Sequence, residues 1–120
     1  MSNKKTQIFL PPPVIDGMVD FKISADAVPD HGVVISASYP DNTAQDRITV
    51  YLQNIGPPYP APHYPYFNAV FWSSSGKARC AIPKEIIVTA KDRGNLTLYY
   101  EVVYSDSRKG MSNMILFSVV

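Results

Sequence analysis

Asp41, Asn42 and Asp46 fall close together in PDNTAQD, and oxygen-bearing side chains on one short loop are what a hard cation such as calcium selects. Their spacing matches no EF-hand loop, however. Turn formers followed by a cap that opens the next strand account for the same residues. The expectation is the turn, with no metal and no cofactor. Nucleophilic catalysis needs a nucleophile, a base and an orienting group in contact. The only histidines are His31, in PDHG, and His63, in a proline-rich stretch, and neither a Gly-x-Ser-x-Gly elbow nor a phosphate-cradling glycine loop occurs. Asp16, Asp20, Asp26 and Asp30 stand near proposed strand ends, but nothing in their spacing demands that they pair. Cys80 is the sole cysteine, which rules out an intrachain disulfide and a thiolate metal cage. Set in ARCAI between apolar neighbours, it reads as a buried, inert thiol. The chain is therefore expected not to be an enzyme; a small hydrolase is the remaining catalytic alternative.

Recognition chemistry is better supplied. In GPPYPAPHYPYFNAVFW, residues 56–72, Tyr59, Tyr64 and Tyr66 are interleaved with Pro57, Pro58, Pro60, Pro62 and Pro65, and His63 lies among them. Tyrosine offers apolar area with a hydrogen-bonding edge, which suits both protein interfaces and sugar faces. The prolines hold such rings partly preorganised, so binding would cost less conformational entropy. Tyr59, His63, Tyr64 and Tyr66 are the candidate ligand-binding residues, for a protein or carbohydrate partner. A structural alternative stays open, in which the prolines stiffen a long connection and the tyrosines cover a sheet edge. Near Asn68 the stretch turns into a strand, with Phe71 and Trp72 expected to point into the core. Asn95-Leu96-Thr97 fits a glycosylation acceptor, although a turn asparagine explains it equally.

The elements that must position these residues read mostly as strands. In RITVYLQN, Ile48, Val50 and Leu52 share one face; in GVVISASY, Val33, Ile35, Ala37 and Tyr39 do so; in NLTLYYEVVYSD, Leu96, Leu98, Tyr100, Val102 and Tyr104 do so. MVDFKIS is a further expected strand, with Val19, Phe21 and Ile23 in phase. SDSRKG predicts a hairpin between the last two strands, and SSSG suggests that NAVFW and KARCAI form another pair. PKEIIVTAKDRGN carries helix start and stop signals, but its β-branched run allows only a short helical turn, with a strand piece as the alternative. About seven short strands with almost no helix predict an all-β, two-sheet sandwich. Residues 1–13, with their triple proline, read as an N-terminal arm or linker, and 14–120 as a single domain.

At 120 residues the chain suits one domain, and 11 basic against 10 acidic side chains without a dense cluster argue against phosphate-driven nucleic-acid binding. No apolar run approaches the length that spans a bilayer, so membrane insertion is not expected. MSNKKTQIFLPPP offers too short an apolar run for a secretory signal, which makes a cytoplasmic address the default and leaves non-classical export or the cell surface open.

Together, LPPPVIDG, VVISASYPDNTAQDRITVYLQNIG and AIPKEIIVTAKDRGNLTLYYEVVYSDSRKGMSNMILFSVV resemble the bacterial immunoglobulin-like domains that recur in tandem in large surface and adhesin-like proteins. The matching positions are Tyr39 and Pro40, Asp46 before a strand, Ile82 and Pro83 before a turn, and Gly94 ahead of Tyr99 to Tyr104. The resemblance implies an immunoglobulin-like sandwich used for spacing or adhesion. This chain departs from it as a single unit with an expanded loop from Gly56 to Phe67. The functional expectation is a non-enzymatic recognition or assembly module, with a purely structural spacer as the alternative.

Overall fold

A computed structural model describes residues 9–43, 45–54, 64–73 and 78–120. The expected alternations form its centre. Ile48, Val50 and Leu52 of β4 (Arg47–Asn54) are buried to within 1% of full enclosure, as are Leu96, Leu98, Tyr100 and Val102 of β7 (Leu96–Val103). These two strands pair antiparallel along their whole length. On the far side of β4 lies β5 (Tyr64–Trp72), and on the far side of β7 lie β8 (Lys109–Met111) and β9 (Ile115–Val119). The two-residue β2 (Lys22–Ile23) extends that sheet by pairing parallel with β9. A second sheet, in the order β1 (Val14–Ile15), β3 (Val33–Ala37), β6 (Ala78–Ile82), is antiparallel throughout. Val33, Ile35, Ala37 and Ile82 from it meet the inward residues of the larger sheet, as alternation along each strand requires.

The chain is thus an all-β sandwich of immunoglobulin-like connectivity, with β1, β3 and β6 on one sheet and β4, β7 and β9 on the other. Between β6 and β7, α1 (Lys84–Thr89) follows Pro83, turns its Ile87 into the core and gives way to Gly94 at φ 90°. Among the described residues no helix is long and apolar enough to cross a membrane.

Three local expectations are corrected. NAVFW and KARCAI do not pair: β5 joins β4 in the larger sheet, while β6 joins β3 in the smaller. Alternation reveals which residues share a face but not which strand lies alongside. The final strand is split into β8 and β9 around Ser112–Met114. There Ser112 N–H donates to the Tyr100 carbonyl and its hydroxyl accepts from Tyr100 N–H, both at 2.9 Å. Leu10, from the end of the expected arm, docks on this break through Met111 and Asn113, and the Tyr100 hydroxyl donates to the Pro11 carbonyl at 2.7 Å.

The third correction concerns MVDFKIS, of which only Lys22 and Ile23 are strand. Val19 and Lys22 exchange two 2.9 Å backbone hydrogen bonds around Asp20 (φ 52°) and Phe21 (φ 60°), a two-residue turn of the type that favours Asp-Gly. A phenylalanine at positive φ costs on the order of 1 kcal/mol that glycine would not. Val19 and Phe21 end up on the surface, not in phase within a core strand.

Cys80 lies half-buried on β6 against the core, and burial pushes its thiol up to about 11. Iodoacetamide at pH 8 should therefore leave the native domain largely unmodified and label it readily in urea. Equal rates in the two states would show that the thiol is reactive.

Candidate functional site

Tyr59 and His63 lie outside the described residues. Tyr64 and Tyr66 belong to β5, whose described side chains begin at Phe67. From there the register with β4 decides what the strand displays. Phe67, Ala69 and Phe71 stand opposite the buried Leu52, Val50 and Ile48, and Phe67 and Phe71 pack against the core. Asn68, Val70 and Trp72 stand opposite Tyr51, Thr49 and Arg47 and face outward. Trp72 is 63% exposed and Val70 60%. Trp72 does not point into the core, contrary to expectation, because adjacent residues of a strand face opposite sides and Phe71 has the inner one.

On the same outer face, β7 continues the rows. Tyr99 stands opposite Tyr51, Glu101 opposite Thr49, and Val103 opposite Arg47. The Tyr51 and Tyr99 rings stack with centroids 5.0 Å apart at 20°. Burial against this neighbour, then the charge of Glu101, push the Tyr51 hydroxyl above its ordinary range. Met111, opposite Glu101, adds an exposed thioether. Rings and methyl groups are therefore set among Arg47, Thr49, Asn68 and Glu101, so that apolar contact and hydrogen bonding are available side by side. Sequence reasoning missed Arg47, Tyr51, Val70 and Tyr99. The signals were that NAVFW is apolar on both faces and that Tyr51 and Tyr99 put rings on the faces opposite the core residues of RITVYLQN and NLTLYYEVVYSD.

A buried carboxylate fixes the end of this face. Asp46, immediately before β4, is fully enclosed and accepts four hydrogen bonds: from the Tyr39 hydroxyl (2.8 Å), Thr43 N–H (2.8 Å), the Thr43 hydroxyl (2.7 Å) and Ser105 N–H (3.1 Å). Its own carbonyl accepts from Ser73 N–H at 3.0 Å, and the Ser73 hydroxyl donates to the Thr43 carbonyl. Ser73 follows Trp72 directly, so this hub clamps β5 where the tryptophan is displayed. Burial raises the Asp46 pKa, but the bonds from Thr43, Tyr39 and Ser105 outweigh it and hold the carboxyl below its ordinary range.

The oxygens of PDNTAQD are thereby divided. Asp46 points inward, whereas Asp41, at φ 61°, lies on the surface 3.6 Å from Arg108. Arg108 also holds both oxygens of Asp106, at 3.0 and 2.9 Å, and sits 4.5 Å from the Tyr104 ring centroid. Tyr104 in turn donates its hydroxyl to the Pro40 carbonyl at 3.0 Å and meets Tyr39 edge-on at 5.7 Å. Of the other residues weighed from the sequence, His31 is exposed in its turn, and Asn95 is exposed ahead of the buried Leu96 and Thr97.

No family model matches the chain, and neither the curated proteins nor the solved structures contain a match.

Proposed function

We propose that the chain is a non-enzymatic recognition module that holds a protein or carbohydrate partner against the outer face of β5, β4 and β7, with Trp72 as its anchor. One observation carries this reading: the only tryptophan is 63% exposed on a strand clamped by pairing along β4 and by the Asp46 hub. A large ring displayed from a strand whose backbone is already held leaves binding less freedom to remove than a ring on a loose loop. Val70, the Tyr51–Tyr99 pair and Met111 extend the apolar area beyond a single scattered residue, the pattern of an interaction surface. A spacer has no use for such a face. Tyr64 and Tyr66 lie on the same strand. The likeness to repeats of surface proteins favours adhesion as the setting.

Trp72→Ala tests the reading. With the ring outside the core, denaturation should show a loss below about 1 kcal/mol. Capture on a glycan array, or of a protein from lysate, should fall about tenfold, the scale of an interfacial hot spot. A loss of several kcal/mol would place the ring in the core, and unchanged capture would move the binding surface elsewhere.

A further inference from the structure

Among the described residues, the outer edge of β9 and of the segment leading into it is covered at both ends by residues from the N-terminal part of the chain and is open between them. At one end Leu10 pairs parallel with Ser112; at the other Lys22 and Ile23 pair parallel with Ser118 and Val119. Between the two covered positions lie five residues, Asn113–Phe117, of which Ile115, Leu116 and Phe117 are strand. The covering chain leaves that edge because Pro11, Pro12 and Pro13 have no N–H to donate, and the next residues, Val14 and Ile15, pair in the other sheet. A groove of about 640 Å³ occupies the gap, walled by Pro12, Phe21, Met114 and Leu116, with Asp20 and Lys22 at the turn. Phe21 and Met114 are 62% and 55% exposed.

The backbone phase makes the gap a strand site. Ser118 N–H donates to the Phe21 carbonyl at 3.1 Å, so it points away from β7. Every second residue of a strand presents its N–H and C=O to the same side, so Leu116 turns both groups into the groove.

We propose that this groove binds an extended, uncharged peptide segment with alternate apolar side chains, which adds to the open edge of β9 as a short strand. The occupant follows from the pairing already present. An outward N–H and C=O at strand spacing are complemented by another backbone, and backbone covers this edge on either side of the gap. Phe21, Met114 and Leu116 receive the alternate side chains. Asp20 and Lys22 offer one charge of each sign, which suits a segment without net charge. The site lies on β9, toward the opposite edge of the sheet from Trp72 on β5, and does not depend on Trp72. Phe21 stands at φ 60°, where the turn itself favours glycine, and its ring walls the groove.

The test uses the whole domain, ¹⁵N-labelled, and acetyl-Thr-Val-Thr-Val-Thr-amide as probe. Exchange of the Leu116 amide should slow about tenfold at saturating probe, with shifts gathered at Asp20–Lys22 and Met114–Phe117. The same peptide N-methylated at the central residue should bind about tenfold more weakly, having lost a backbone donor. Phe21→Gly leaves an Asp-Gly turn, so it should fold at least as stably while binding the probe about tenfold more weakly. Three results would overturn the proposal: equal binding of the N-methylated peptide, shifts centred on Trp72 in place of Leu116, or no shift at millimolar probe.

Discussion

Gly32→Ala is expected to remove roughly 3–5 kcal/mol of stability, as the sum of two costs. Gly32 is buried at φ 90°, where its N–H donates to the Pro29 carbonyl at 2.9 Å to close the turn before β3. Alanine there would adopt a left-handed backbone, at about 1–2 kcal/mol. Its Cβ would also press into the Ile82 carbonyl oxygen and come within 3.0 Å of the carbonyl carbon and 3.3 Å of Pro83 Cα. Those atoms are backbone, and Ile82 is held in register opposite Val33, so no side chain can swing aside. Against a total stability of about 5–15 kcal/mol, such a loss leaves a marginal domain. Gly17→Ala supplies the control, because its φ is 83° but a Cβ there meets nothing within 4 Å. Urea denaturation should find Gly17→Ala costing about 1–2 kcal/mol and Gly32→Ala far more. Equal losses would mean that the contact with Ile82 contributes nothing.

Asp46→Ala should cost about 3–5 kcal/mol, as when one partner of a buried charged network is removed. The Tyr39 hydroxyl, Thr43 N–H and Ser105 N–H would lose their acceptor together, and the β3–β4 and β7–β8 connections would lose their common anchor. The wild-type dependence on pH follows from the direction of the shift. Since the folded pKa lies below the unfolded one, near 3.9, the stabilisation is fully present above about pH 4 and is lost as pH falls through the folded value. Asp46→Asn cannot titrate. Its stability deficit should therefore be largest near neutrality and should narrow as the pH is lowered from about 4 toward 2. Denaturation followed by circular dichroism across that range checks both statements, and a gap that stays constant would show that Asp46 titrates alike in the folded and unfolded chain.

What the sequence determined by itself is whatever depends on neighbours along the chain. Val33, Ile35 and Ala37, Ile48, Val50 and Leu52, and Leu96, Leu98, Tyr100 and Val102 each place apolar residues in phase along one face of a strand, and each set is buried. The β-branched run Ile86–Thr89 kept α1 to six residues, and Asp46 opens its strand as its position in PDNTAQD indicated. Only the tertiary structure decided the face of NAVFW, since Ala69 and Phe71 on one side and Val70 and Trp72 on the other are both apolar enough for a core. The choice fell to pairing with β4, whose register shifts between Leu52 and Gln53 and so sets the phase of all that follows. Long-range pairing likewise sent β5 and β6 to different sheets and bent Asp20 and Phe21 into a turn anchored on Ser118. Alternation is written into a single strand, whereas register and partner are properties of two strands, and neither can be read from the residues of one.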